Sequence, residues 1–192
     1  MRSAALIPAA GASVRMGRPK LLLELGGRTL IENAIRTAVL AGCSPVVVVV
    51  GGGPPAIARI AEQSGAEVVV NGDWANGLGS SISRGMAALS PAVDVVVILP
   101  ADQIDVEPEH LRRLIASVRE EGGVAATDFG GSLGAPAAFA AGAFGLLREL
   151  DGDRGARDSI QNARSLAPPR PIRDLDTLRD FSEAGGKLEG PE

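Results

Sequence analysis

Short aliphatic runs occur at Ala4 to Ile7, Val46 to Val50, Val68 to Val70 and Val93 to Leu99, and none of them alternates apolar with polar residues. An unalternated run of this length predicts a β-strand buried on both faces. Between the runs the period becomes helical. Leu30, Ile31, Ala34, Ile35, Ala38 and Val39 share one helical face, preceded by the capping-box spacing Thr29-Leu30-Ile31-Glu32 and followed by Gly42 as a stop. Pro54 to Ser64 starts with proline and ends before Gly65, and Leu111, Leu114, Ile115 and Val118 recur at i, i+3, i+4, i+7 after Pro108. Strand and helix therefore take turns. This alternation predicts a three-layer α/β/α fold, with a mostly parallel sheet and right-handed crossovers. In such sheets ligands bind outside the carboxyl ends of the strands, so the loops that follow strands become the candidate site.

From Gly122 the pattern loosens into a strand at Gly123 to Ala126, a glycine and serine stretch at Gly130 to Gly134, an extended segment at Pro136 to Ala141 and a helix ending near Leu150. A second substrate is expected here. Residues 1–184 are read as a single domain and 185–192, polar and glycine-rich, as a flexible tail. Apolar runs such as Pro45 to Val50 are far short of the roughly 18 to 20 residues of a membrane span, so no membrane contact and a cytoplasmic setting are expected.

Composition narrows the chemistry. With 19 Lys and Arg against 23 Asp and Glu, a net charge of −4, the 192-residue chain lacks the basic surplus of a nucleic-acid binder. One cysteine and one histidine exclude an intramolecular disulfide, a Cys/His zinc cluster and a haem attachment pair. Any metal must then sit mainly on oxygen ligands, which suits Mg²⁺, Mn²⁺ or Ca²⁺ and points toward phosphate chemistry. His110 is expected on the surface of its amphipathic helix, because no nucleophile motif accompanies it, and Cys43 is expected to be inert.

After the first strand, Ala9-Ala10-Gly11-Ala12-Ser13-Val14-Arg15-Met16-Gly17-Arg18-Pro19-Lys20 combines small residues with three cations and is built like a phosphate cradle. An ordinary strand-to-helix loop with solvated cations is the alternative. The spacing fits neither a P-loop nor Gly-x-Gly-x-x-Gly. Asp102, in Ile98-Leu99-Pro100-Ala101-Asp102-Gln103, follows the fourth strand, where an open α/β sheet binds ligand; a helix cap is the weaker alternative, since Asp105 lies nearer the next helix.

Ile7-Pro8-Ala9-Ala10-Gly11-x-Ser13-x-Arg15-Met16-Gly17-x-Pro19-Lys20-Leu21 resembles the signature loop of nucleotidyltransferases that act on the molybdenum cofactor, a Rossmann-like fold of the nucleotide-diphospho-sugar transferase type. The resemblance implies that Ala9, Ala10 and Gly11 wrap the nucleotide's triphosphate while Arg15 and Lys20 neutralise it. Pro8 stands where leucine is usual and lacks an N–H. Asn71 to Ser81, with Gly77, Ser80 and Ser81, is similar to the segment that holds base and ribose; a turn with Ser80 or Ser81 capping a helix is the plainer alternative. Trp74 is read as a packing anchor rather than a stacking platform. Asp102 resembles the family's Mg²⁺ aspartate. Asp174-Leu175-Asp176-Thr177-Leu178-Arg179-Asp180 is similar to the stretch holding a second acid, with Leu178 and Arg179 breaking the pattern, so Asp176 is a candidate metal ligand or an exposed helix start.

Phe129-Gly130-Gly131-Ser132-Leu133-Gly134-Ala135-Pro136 looks like the family's Gly-His-Pro loop with Ala135 in place of histidine, and Gly152-Asp153-Arg154-Gly155-Ala156-Arg157 matches the Gly-Asp-x-Gly-Ala-Arg motif of its cytidylyltransferase branch. The resemblance implies that Gly134, Pro136, Arg154 and Arg157 hold the acceptor; a salt-bridged helix start with Asp151 and Asp153 is the alternative for the arginines. The implied reaction is CMP transfer from CTP to molybdenum-molybdopterin with Mg²⁺, by a monomer or weak dimer that could hand its product to a molybdenum-enzyme chaperone or apo-enzyme. Rivals are a guanylyltransferase of the same cofactor, a sugar-phosphate nucleotidyltransferase and a non-catalytic cofactor carrier.

Overall fold

The structure is a computed structural model that describes residues 1–11, 17–152 and 156–186. In chain order the elements are β1 (Ser3–Ala9), the hairpin β2 (Glu24–Leu25) and β3 (Arg28–Thr29), α1 (Leu30–Leu40), β4 (Val46–Val50), α2 (Pro55–Gln63), β5 (Glu67–Val70), α3 (Leu78–Ala88) and β6 (Val95–Ile98). They continue with β7 (Gln103–Ile104), α4 (Pro108–Glu121), β8 (Val124–Asp128), β9 (Leu133–Ala140), α5 (Phe144–Arg148), α6 (Arg157–Ile160), β10 (Arg164–Leu166), β11 (Arg173–Asp174) and α7 (Leu178–Glu183). The main sheet runs β10-β8-β9-β6-β1-β4-β5, and β11 pairs with β7 in a separate two-stranded ladder.

The four aliphatic runs become β1, β4, β5 and β6, parallel to one another. Their lack of alternation has the expected cause: along β1, Ala5, Ile7 and Ala9 face a core with residues of α1, α2 and α4, while Ala4 and Leu6 face another with residues of α3 and α5. Both faces are covered, giving three layers. Helix α1 starts at the foreseen capping box, in which the Thr29 side chain accepts from the Glu32 N–H and Glu32 reaches back to the Thr29 N–H. The Thr29 hydroxyl, donating to the Glu32 carboxylate at 2.6 Å, and then the Thr29 N–H hold that carboxyl below its usual pKa.

β9 departs from the parallel pattern, running antiparallel between β6 and β8. It begins at Leu133, three residues before the expected Pro136, because the turn at Gly130 and Gly131 is tight: the Asp128 carboxylate accepts from the Gly131 N–H at 2.6 Å, and the Phe129 N–H donates to the Ser132 carbonyl. The expected helix ending near Leu150 is the short α5.

One expectation about a single residue fails. His110 is fully buried, not on the surface. It lies one turn before Leu114 on the face that α4 turns toward the sheet, and its Nε2 sits 2.8 Å from the Thr127 hydroxyl, so a partner inside offsets the cost of burial. Burial and the nearby Arg113 push its pKa down to about 4. Cys43 is buried as expected of an inert thiol, and desolvation raises its pKa to about 11. Among the described residues no helix is long and apolar enough to cross a membrane.

Candidate functional site

A cavity of about 1280 Å³ opens at the carboxyl ends of β1 and β6. One end is backbone: Ala9, Ala10 and Gly11 line it, with the Ala10 carbonyl accepting from the Gly52 N–H at 3.0 Å. Pro8 belongs to β1 beyond Leu6, the last residue registered with β6, so its missing N–H falls where that ladder has ended. Trp74 lies against Gly51 and Gly52: a Cβ at Gly51 would come 2.6 Å from the Trp74 Cβ. It is an anchor as expected, but a half-open one, 37% exposed and lining the cavity.

Behind this wall Asn71 is buried and donates from Nδ2 to the hydroxyls of Ser80, at 3.0 Å, and Ser81, at 3.1 Å, while its Oδ1 accepts from the Asp73 N–H. The serine capping alternative fails, because α3 begins at Leu78 with Gly77 at its N-cap position, φ 105°, and both serines fall inside the first turn. Gly77 and Ser81 line the cavity; Asn71 and Ser80 brace them from behind.

At the centre stands Lys20, which opens a single 3₁₀ turn anchored by the buried Leu21. Its Nζ lies 2.7 Å from Asp102 Oδ2 and 3.3 Å from Asp176 Oδ1. Two carboxylates separated by more than 70 residues thus converge on one cation. The C-terminal segment brings them together: β11 pairs antiparallel with β7, Asp174 opposite Gln103, and the Leu175 N–H donates to the Asp102 carbonyl at 3.0 Å. Arg173 donates to the Asp105 carboxylate at 2.6 Å, and Leu175 and Phe181 pack with Leu30 and Ile104 in a small third core. Asp176 precedes the Thr177 cap of α7, as the helix-start reading has it, and also reaches Lys20. Asp102 lies well before α4, whose N-cap position is Glu107, which removes the capping alternative.

Besides Asp158, sequence reasoning missed Asp174, another carboxylate on the cavity wall. Its pKa is raised, chiefly by desolvation and then by Asp102 and Asp176, against a Gln103 hydrogen bond and Lys20, which lower it. The signal was available, since Asp174 and Asp176 sit at i and i+2 and an extended segment turns such residues to one side. The site's oxygen-rich donor set matches a hard divalent cation.

At the other end Gly134 and Ala135 line the cavity, while Pro136 is buried behind them. A Cβ at Gly134 would come 2.9 Å from the Phe129 ring. The Gly152 carbonyl accepts from the Gly79 N–H at 2.8 Å, which docks the start of the Gly-Asp-x-Gly-Ala-Arg segment on the first turn of α3. Arg15 and Arg154 lie outside the described residues, as does the side chain of Arg157, and so does the distal tail from Lys187.

A mostly parallel sheet with a glycine loop and converging carboxylates at its carboxyl edge defines an enzyme of the nucleotidyltransferase class, and the fold is that of the nucleotide-diphospho-sugar transferases. Residues 5–167 match the family described as MobA-like NTP transferase domain, and the chain belongs to that family. It is 33% identical over 175 residues to purine catabolism protein PucB of Bacillus subtilis, covering 85% of this chain and 84% of that one. It is 41% identical over 112 residues to nicotine blue oxidoreductase of Paenarthrobacter nicotinovorans, a match spanning 58% of this chain and about half, 54%, of that relative. The crystal structure of Rv0371c from Mycobacterium tuberculosis H37Rv in complex with manganese superposes with a TM-score of 0.78 at 27% identity, covering 96% of this chain and 98% of that one.

Proposed function

We propose that the protein transfers CMP from CTP to the terminal phosphate of molybdenum-molybdopterin, giving the cytosine dinucleotide form and pyrophosphate. The observation that carries this is Lys20 held between Asp102 and Asp176 in a cavity with the glycine loop at one end and the Gly134-Ala135 wall at the other. An oxygen of the acceptor phosphate attacks the α-phosphorus of CTP, forming the new P–O bond, and the bond to the bridging oxygen breaks as pyrophosphate leaves with the electron pair. A phosphate monoester, with its second pKa near 6, is largely ionised at neutral pH, so no general base is required, in keeping with a sole histidine walled into the core.

Catalysis then rests on positioning and charge neutralisation. Ala9, Ala10 and Gly11 approach the triphosphate with backbone, and Lys20 and Arg15 offset its charge. Gly77 and Ser81, braced by Asn71 and Ser80, hold base and ribose. Gly134, backed by the buried Pro136, and Arg154 and Arg157 hold the acceptor. Asp102 and Asp176 would hold Mg²⁺, which when bound would supply charge stabilisation at the α-phosphate. Support for the molybdenum-linked acceptor comes from the resemblance of the Ile7 to Leu21 loop to molybdenum-cofactor nucleotidyltransferases, in keeping with membership of the MobA-like family; support for CTP comes from the Gly-Asp-x-Gly-Ala-Arg sequence. A lone buried cysteine fits a reducing cytoplasmic setting. A second reading, transfer to another phosphorylated acceptor such as a sugar phosphate, is favoured by Ala135, which removes the imidazole from the acceptor wall.

Pyrophosphate release with Mg²⁺ and molybdenum-molybdopterin, compared across CTP, GTP, ATP and UTP, tests the proposal. CTP-selective release is the expected result. Preference for GTP moves the activity to guanylyl transfer, release only with sugar phosphates supports the second reading, and no release with any acceptor overturns nucleotidyl transfer.

A further inference from the structure

The buried His110 has no part in the chemistry above, yet it belongs to a chain of hydrogen bonds that ends at the cavity wall. The Thr127 hydroxyl, fully buried on β8, donates to the Pro136 carbonyl at 2.7 Å. A hydroxyl has one proton to give, so the 2.8 Å contact between Thr127 Oγ1 and His110 Nε2 has the imidazole as donor. His110 is therefore the neutral Nε2–H tautomer, and burial, aided by Arg113, keeps it so at neutral pH. Its Nδ1 has no hydrogen-bond partner among the described residues, so the imidazole is held here by the Thr127 contact alone.

The far end of this chain is irregular backbone. β8 and β9 pair Ala126 with Ala137 and then Thr127 with Gly134, so Ala135 and Pro136 stand as two extra residues outside the ladder. A bulge of this kind re-aims the backbone beside it. Gly134 and Ala135, on the front of the bulge, line the cavity; Pro136 has no N–H, and its carbonyl, cut off from the ladder, would be an unpaired buried acceptor without Thr127. The loop in front is fixed separately by Asp128, which accepts from the Gly131 N–H and from the Ser165 hydroxyl. Among the described residues, the hydrogen bond that ties the bulge itself comes from behind, from Thr127.

We infer that His110 is a positioning residue for the acceptor wall: acting through Thr127, it fixes the Ala135-Pro136 bulge and so sets the fit of the acceptor, without touching the nucleotide end. This rests on the reading of Gly134 and Pro136 as the acceptor side. With alanine at position 135 the wall offers the acceptor no imidazole, and its placement is governed by backbone held from the second helix layer.

The test uses the purified full chain carrying His110→Leu, His110→Gln, Thr127→Val or Thr127→Ser. Glutamine and serine keep the donor of each step, while leucine and valine remove it at similar volume. In His110→Leu and Thr127→Val the acceptor KM should rise about three- to tenfold, the change that loss of one neutral hydrogen bond implies, with kcat and the CTP KM within about twofold of wild type. Thr127→Ser and His110→Gln should recover most of the loss. Amide hydrogen exchange should quicken at 129–137 in the leucine and valine variants and stay unchanged at 20–22 and 71–81. Folded variants with unaltered acceptor KM and unaltered exchange at 129–137 overturn the inference, as does a parallel loss in both KM values and kcat. If the wild type turns over no acceptor, the functional reading fails by itself, and the exchange pattern still decides whether His110 holds the bulge. Should His110→Leu not fold, the Thr127→Val and Thr127→Ser pair decides between the same two outcomes.

Discussion

On the side of β1, β4 and β5 the cavity wall is backbone delivered by the ends of parallel strands; on the side of β8 and β9 it is an antiparallel bulge held in place by side chains. The first kind of wall is stiff because β1 and β4 each lie between two neighbouring strands and between two packed cores, with β5 closing the edge. The second depends on a few hydrogen bonds that single substitutions remove. In the proposed function the stiff wall meets the triphosphate and the bulged wall meets the acceptor.

The comparison breaks first at the centre. Asp102→Ala should lower kcat by roughly a hundredfold or more, the effect of losing several kcal/mol of charge stabilisation, while circular dichroism stays that of wild type. A variant retaining near-normal turnover would show that Asp102 serves neither end. The next largest effect is at the seam between the two walls, where a Cβ on Gly79 would meet the Asp151 backbone at 2.8 Å. Alanine ordinarily favours a helix over glycine by about 1 kcal/mol, but overpacking against backbone costs roughly 1–3 kcal/mol. The steric cost should win, with Gly79→Ala lowering Tm by a few degrees and raising both KM values in steady-state assays. A stabilised variant would mean that the seam is loose.

Acidification sharpens the contrast within the acceptor side. The unfolded chain takes up a proton on His110 near pH 6.5, whereas the folded chain resists until about pH 4. Stability should therefore fall as pH drops through that window, by about 1–2 kcal/mol at pH 5 relative to pH 7, in urea titrations, with a flatter profile in His110→Gln. The smallest effect is expected at Asp176, which is 57% exposed and farther from Lys20 than Asp102 is. Asp176→Asn should raise the half-saturating Mg²⁺ concentration several-fold, leaving kcat at saturating metal close to wild type.

The same contrast explains what the sequence disclosed. β1, β4, β5 and β6 and helices α1, α2 and α4 were legible because burial on two faces, or on one helical stripe, writes itself into local periodicity. Asp102 and Lys20 were legible because each ends or follows such an element. The antiparallel placement of β9 and the bulge at Ala135 and Pro136 were not, since they depend on pairing with β6 and β8 rather than on any local period. His110 was misplaced for a related reason: its partner, Thr127, is distant in the chain and belongs to another element, and no spacing rule connects them. Asp174 was passed over although its i, i+2 relation to Asp176 was visible, because the strand that gives the relation meaning is two residues long.

The β7–β11 ladder gives the site a dependence on the order of synthesis. Residues 5–167, the part matched to the family, already reach into every strand of the main sheet and hold the glycine loop and Asp102, whereas Asp174 and Asp176 come later in the chain. A nascent chain extended only to residue 167 has in hand the sequence of the whole sheet, yet Lys20 faces a single carboxylate. Only when residues 173–176 thread back along Gln103 and Ile104 does the charge cluster close, so the centre is completed by sequence beyond the family-matched span.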